Sequence, residues 1–336
     1  MLKGIIMREM DETIGERMLR RAPICRDGKG RARGCLLGQL SGDSLGSLVE
    51  FMSPDQILRR YPRGVRELAD GDVWHTIAGQ PTDDSEMALL LARMLVREGR
   101  YDPSSALAEY RFWLDTAPFD CGMTIASALQ GRVNPESQAN GAMMRISPLG
   151  IFAAKYSLEL ADRWAREDAR LTHPNPVCLD ANALFTRAIA FAVKEGPAPE
   201  ELYGQLLGWA RKMGLAPSLM EVIERAADEP PEDFLTHQGW VLIAFGNALY
   251  QLLHAVSFEE GVVDTVMRGG DTDTNAAICG ALLGALYGGD AVPDQWKGAL
   301  ASCHPREGDP RVLRPRPECF WPTDAVELAD TLVDWG

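Results

Sequence analysis

Residues Thr82-Asp83-Asp84-Ser85-Glu86 place three carboxylates and two hydroxyls in five consecutive positions. Adjacent carboxylates repel, so a chain that keeps them together draws on their oxygens, and hard cations such as Mg²⁺ favour such oxygen sets. Asp83 and Glu86 also have capping-box spacing, so a structural helix start accounts for part of the run. A second oxygen-rich run, Gly269-Gly270-Asp271-Thr272-Asp273-Thr274-Asn275, follows two glycines that release the backbone. A calcium loop competes for this run, but it lacks the bidentate glutamate that an EF-hand carries at position twelve. In Asn140-Gly141-Ala142-Met143-Met144-Arg145 a turn is expected, with free amides that could cradle a phosphate; an ordinary loop-to-helix transition reads equally well.

These runs need elements to hold them. Apolar residues recur near a 3.6 period over 83–97, 199–213, 217–227, 239–256 and 258–267, which predicts helices. Further helices are expected over 278–287 and 323–335, with a Pro-rich surface loop over 304–322 between them. No run has sustained strand alternation bounded by hairpin turns, so one all-α domain is expected. Glycines recur every four residues at 34, 38, 42 and 46, and again at 280, 284 and 288. Each glycine weakens a helix by about 1 kcal/mol relative to alanine, so a stripe of them implies close approach by another backbone or a ligand. The two glycine stripes are expected to pack together and bring their acidic ends near each other. Asp43 and Glu50, seven apart, would share one face if the first helix continues through both.

Taken in order, the Gly-Asp helix, Thr-Asp-Asp, Asn-Gly-x-x-Met-Arg and Gly-Asp-x-Asp-Thr resemble the ADP-ribosylglycohydrolase family, over roughly residues 34–289. This family includes the dinitrogenase reductase-activating glycohydrolases. The resemblance implies a single compact helical domain with a central binuclear metal cleft holding Mg²⁺ or Mn²⁺. It assigns Thr82, Asp83 and Asp84 as ligands from one side and Asp271, Asp273 and Thr274 from the other. Glu50 matches an acid near the metals and the reacting ribose. Asn140, Gly141, Ala142, Met143 and Met144 would hold the ADP-ribose phosphates, and His173 would lie near the nucleotide unless it is a core histidine. The reaction implied is metal-dependent hydrolysis that takes ADP-ribose off a modified protein side chain. Glu50, or an aspartate such as Asp84 or Asp273, would handle the proton. Arginine is the first expectation for the modified residue; serine or a small molecule such as O-acetyl-ADP-ribose stays open. Ser85 stands where many members have threonine, which keeps a hydroxyl.

The formal charge is −14, from 48 acidic and 34 basic residues. That excess argues against a general nucleic-acid binder or an anionic-membrane binder. Seven cysteines with no CxxC argue against a disulfide framework or zinc site, and with no apparent signal peptide the expected compartment is the cytoplasm. Residues 1–33 hold nine Lys/Arg against five Asp/Glu, and 7–20 could form an amphipathic helix. They are read as an extension, and residues 34–336 as the catalytic domain. The extension is either a terminal arm without function or a partner-binding arm, as in an immunity protein gripping an ADP-ribosyltransferase toxin. A non-catalytic relative would be expected to lose acidic ligands, and this chain keeps them. A phosphatase or nucleotide hydrolase using the same metals is the competing enzyme class.

Overall fold

The computed structural model describes residues 21–334. The chain runs through α1 (Gly28–Gly46), α2 (Pro54–Arg60), α3 (Asp83–Glu98), α4 (Pro103–Asp115), α5 (Met123–Leu129), α6 (Ser147–Ala153), α7 (Leu158–Arg170) and α8 (Pro176–Glu195). It continues with α9 (Pro199–Met213), α10 (Pro217–Arg225), α11 (Val241–His254), α12 (Phe258–Met267), α13 (Thr272–Tyr287), α14 (Asp294–Ser302) and α15 (Ala325–Leu332). No strand occurs among the described residues; one antiparallel bridge joins Ala139 to Trp240. The segment 7–20 lies outside the described residues.

Helices α1 and α13 form the centre. Every residue of α13 is buried, as is α1 from Gly34 to Gly46, and a helix covered all round shows little amphipathic stripe. The glycines explain how the two fit. A Cβ added at Gly38 would lie 2.1 Å from the Gly280 carbonyl oxygen, at Gly42 2.1 Å from that of Ala276, and at Gly46 2.3 Å from that of Thr272. The expected packing of the two stripes is therefore present from Gly34 to Gly46, glycine on glycine at Gly34 and Gly38 and glycine on the Ala276 and Thr272 backbone beyond. Both helices bring their acidic ends to the same end of the pair: Asp43 on α1 and Asp273 on α13.

Several boundaries differ from the sequence reading. Helix α1 ends at Gly46, so Glu50 stands in the turn that follows rather than in line with Asp43 on a helical face. The turn closes on the Gly269–Gly270 pair: Phe51 N–H donates to the Gly270 carbonyl and Gly270 N–H to the Met52 carbonyl, at 2.8 and 3.0 Å. Helix α13 begins at Thr272, which makes Asp273 part of its first turn and not of a preceding loop. The final helix is shorter than expected, and the 304–322 stretch contains a short 3₁₀ turn at Glu318–Phe320. Residues before Gly34 belong partly to the body. Ala22 N–H donates to the Val256 carbonyl, Cys25 N–H to that of Leu286, and α1 itself starts at Gly28. Helix α8 is long and apolar enough to cross a membrane by composition, but 78% of its apolar window is buried in this fold, as suits a core helix.

Candidate metal centre and active-site cleft

Three helix ends meet at the acidic residues: the C-terminal end of α1 and the N-termini of α3 and α13. Helix N-termini carry partial positive charge and unpaired N–H groups, which is where carboxylates are tolerated. Asp43 caps α3 from another helix. It accepts hydrogen bonds from Thr82 N–H (3.1 Å), the Thr82 hydroxyl (2.8 Å) and Ser85 N–H (3.2 Å). The capping box expected from Asp83 and Glu86 does not form, because Glu86 turns away to pair with Arg316 and Trp113.

The remaining acids face inward. Asp84 Oδ2 accepts from the Thr82 and Thr274 hydroxyls, each at 3.3 Å, while its Oδ1 is buried with no hydrogen-bond partner. Asp83 accepts from Gly122 N–H at 3.2 Å, Asp271 from the Asn140 amide at 2.7 Å, and Asp273 from Thr274 N–H at 2.9 Å. Glu50 accepts from the Trp74 indole N–H. Single oxygens of Asp43, Asp84 and Asp273 lie within 4.8 Å of one another, and so do those of Glu50, Asp271 and Asp273. The two triads share Asp273, the arrangement two adjacent cations need. Orphaned Asp84 Oδ1 and an all-oxygen donor set match a hard divalent ion. Of the residues assigned to metal from the sequence, Asp83, Asp271, Asp273 and Thr274 line the cleft, and Thr82 and Asp84 lie buried beneath it.

Packing so many carboxylates out of water disfavours their charged forms. Burial raises Asp43 to about 6 and Asp83 to about 7. Glu50 rises to about 8 through burial and then the charge of Asp271. Asp84 and Asp273 are pushed well above the carboxylate range, first by burial and then by Asp83 and Glu50 respectively. Asp120, which the sequence reading did not single out, rises to about 10 through burial and the Asp83 charge. It lies in the stretch Pro118-Phe119-Asp120-Cys121-Gly122, where no spacing or repeat marks it. Asp43 did carry a signal, as the acid of the Gly-Asp helix.

A cleft of about 420 Å³ opens beside these acids, lined among others by Glu50, Asp120, Asn140, Gly141, Met144 and His173. The Asn140 carbonyl accepts from Met143 and Met144 N–H at 2.7 and 3.1 Å, leaving the Gly141 and Ala142 amides without an acceptor among the described residues. The side chains of Ala142 and Met143 are packing groups: Ala142 meets Ala169 and Leu179, and Met143 joins the main core. The turn is fixed from below by Arg145, fully buried, which donates to the Gly141 carbonyl and the Asp168 carboxylate, both at 3.1 Å, and stacks over Tyr110. Its flank is held by the Ala139–Trp240 bridge and by Asn140 N–H donating to the Gly239 carbonyl at 2.9 Å. His173 is buried, its Nδ1 2.8 Å from the Thr172 hydroxyl and its Nε2 unpartnered. Burial and the nearby Arg145 lower it to about 3, so its imidazole is neutral. At the mouth, Phe51 is 58% exposed and meets Trp74 edge-on at 6.3 Å; Trp74 meets Phe119 at 6.1 Å.

A helical domain gathers buried acids at helix N-termini beside the Asn140 turn, and comparison with known proteins gives its class. The model of the ADP-ribosylglycohydrolase family matches residues 26–329. The chain belongs to that family, whose members are hydrolases acting on ADP-ribose conjugates. It is 28% identical to the ADP-ribosyl-[dinitrogen reductase] glycohydrolase of Rhodospirillum rubrum, covering 80% of this chain and 90% of that one. It is 26% identical to the ADP-ribosylarginine hydrolase Tri1 of Pseudomonas putida, covering 81% and 74%. A solved structure described as an ADP-ribosylglycohydrolase-related protein complex superposes with a TM-score of 0.75 at 28% identity, over 93% of this chain and 99% of that one.

Proposed function

We propose that this protein removes ADP-ribose from modified arginine side chains of proteins, using a pair of divalent cations held by the acidic cleft. The observation that carries the reading is the pair of carboxylate triads sharing Asp273, set beside the Asn140–Gly141 turn that lines the cleft. Asp43, Asp84, Asp271 and Asp273 would hold the cations, Mg²⁺ or Mn²⁺, with the Thr82 and Thr274 hydroxyls next to them. Bound there, such ions orient ribose hydroxyls and lower the pKa of a water toward neutrality. The chain's own residues supply the rest. The Gly141 amide, at the cleft lining and without an acceptor among the described residues, offers a donor to a diphosphate. The neutral His173 adds a polar atom without adding charge.

Cleavage at the ribose anomeric carbon builds positive charge on the sugar, and surrounding carboxylates favour that charge. Glu50, fixed by the Trp74 N–H and raised into the neutral range, is suited to take and return a proton at working pH. Asp120 lines the same cleft, where burial and the Asp83 charge disfavour its ionised form. Arginine is favoured over serine because the mouth combines aromatic faces with acids. A guanidinium gains from Phe51, Trp74 and Phe119 by cation–π contact and from the carboxylates by charge, and a serine hydroxyl gains from neither. The names of the Rhodospirillum and Pseudomonas relatives agree with an ADP-ribosyl hydrolase and, for the latter, with arginine.

The test offers arginine-linked, serine-linked and O-acetyl-ADP-ribose substrates in parallel, with and without EDTA. Free ADP-ribose from the arginine substrate, lost on chelation and restored by Mg²⁺ or Mn²⁺, is expected. Preferential turnover of the serine or acetyl conjugate would overturn the linkage. Release of phosphate or AMP would overturn the bond, and near-full rate in Asp271→Asn or Asp273→Asn would overturn the site.

A further inference from the structure

Arg316 comes from the Pro-rich stretch between α14 and α15, far in sequence from every acid of the cleft, yet it is buried between two of the cleft's walls. Its Nε and Nη2 donate to the two oxygens of Glu86, each at 2.7 Å, in the forked geometry that suits guanidinium and carboxylate. The same group donates to the Thr116 carbonyl at 3.0 Å and to the Thr116 hydroxyl at 2.8 Å. Glu86 lies one turn along α3 from Asp83. Thr116 opens the segment 116–122, which carries Phe119 and Asp120 and ends where Gly122 N–H donates to Asp83. Arg316 thus bridges the first turn of α3 and the segment that carries Asp120.

The bridge is itself held. Arg316 N–H donates to the Pro305 carbonyl and its carbonyl accepts from the Trp321 indole, both at 2.8 Å, and its guanidinium lies over Phe320. The segment it restrains is strained: Ala117 has φ 51°, a left-handed conformation that a residue with a Cβ keeps only where its surroundings impose it. A buried ion pair is a poor source of stability compared with apolar filling of the same space, so stability alone does not explain a charged fork here.

We propose that Arg316 is a positioning residue: it sets the segment 116–122 against α3, so that the Asp120 carboxyl is held across the cleft from Asp83. This rests on the hydrolase reading above. The cation ligand of α3, Asp84, has a separate support, because the start of α3 is held by Asp43 through hydrogen bonds to Thr82 and Ser85 in which Arg316 takes no part. Turnover and cation affinity are therefore expected to separate.

The experiment uses the full chain with Glu86→Gln/Arg316→Met, which removes both charges, keeps an acceptor for the Trp113 indole and leaves no orphaned ion. Thr116→Val, which removes only the hydroxyl on the far side of the bridge, is the milder variant. The kcat, the KM for arginine-linked ADP-ribose, the Kd for Mn²⁺ and the Tm are measured for each. Because a misplacement near 1 Å costs on the order of 10²-fold in rate, kcat is expected to fall at least about tenfold in the double variant and about threefold in Thr116→Val. The Kd for Mn²⁺ stays within about threefold in the double variant and is unchanged in Thr116→Val, as the Asp43 cap is untouched. A folded double variant with unchanged kcat, or a Mn²⁺ affinity that falls in step with kcat, would overturn the positioning role. If the double variant fails to fold, Thr116→Val decides by the same criteria. Absence of cation-dependent turnover in the unaltered chain overturns the hydrolase reading and this role with it. Normal turnover there, with unchanged kcat in the variants, overturns this role alone.

Discussion

Replacing Gly46 by alanine should separate packing from metal binding in a way that can be worked from distances. The added Cβ would lie 2.3 Å from the Thr272 carbonyl oxygen and 2.4 Å from Asp273 Cα, and real Cβ atoms essentially never come under 3.0 Å. The two backbones must then part by roughly 0.7 Å, a shift that packed interiors resist at about 1–3 kcal/mol. Better helix propensity returns up to about 1 kcal/mol, so a net loss of about 1–2 kcal/mol is expected. The same shift moves Asp273, which both carboxylate triads share, away from Asp43 and Glu50. Gly34→Ala is the control. Its Cβ would meet the Gly284 carbonyl oxygen at the same 2.3 Å, but it lies nine residues, or about 14 Å, along the helix from Asp43. Both variants should lose similar stability in urea unfolding. Only Gly46→Ala should weaken Mn²⁺ binding, by tenfold or more, with turnover falling by up to about 10²-fold. Equal Mn²⁺ affinity in the two variants would refute the claim that the glycine ridge sets the spacing of the acids.

Other outcomes follow from the same geometry. In EDTA, thermal stability should fall as pH rises from about 4 to 8. Asp43, Asp83 and Glu50 have folded pKa values of about 6, 7 and 8, above their unfolded values, so the fold binds more protons than the unfolded chain in that window. Their stabilising effect is complete below the unfolded pKa and is lost as pH climbs through the folded one. Adding Mg²⁺ should restore the Tm at the upper end, and a flat Tm–pH profile in EDTA would contradict the assignment. Arg145→Met should cost about 3–5 kcal/mol in denaturant unfolding, because it leaves the fully buried Asp168 without its cation; a loss under about 1 kcal/mol would show the pair is not the anchor of the Asn140 turn. Deleting residues 1–20 should leave kcat unchanged, since Arg21, Ala22 and Cys25 attach at the end of the central helix pair opposite the acids. If those residues grip an ADP-ribosylating toxin, the same deletion lowers toxin affinity, measured by titration calorimetry. Unaltered affinity would dismiss the arm.

Much of the site was legible in the residues because its signals are local. Asp83-Asp84 and Asp271-Thr272-Asp273-Thr274 crowd oxygens within a few positions, and crowding of like charges needs a reason whatever the fold. The glycine stripes were legible for a similar cause: a four-residue spacing is a helical face, and a face without side chains can only be meant for close contact. Helix class and about half of the helices came from periodicity, which depends on neighbours three and four residues away; spans such as α4, α7 and α8 were not delimited from it. What periodicity cannot report is which group from another part of the chain satisfies a given polar atom. Asp83 and Glu86 had the spacing of a capping box, yet Asp43 does the capping, and Glu86 was free to pair with Arg316, 230 residues on. Glu50 seemed to continue a helix that the Gly269–Gly270 turn stops. Asp120 stands alone in its segment and becomes an acid of the site only because α4 and Arg316 carry that segment to Asp83. The sequence by itself determined which groups are available and the helices that carry them. Only the tertiary structure decided which groups share a buried space, because desolvation and hydrogen-bond satisfaction depend on contacts between residues tens to hundreds of positions apart.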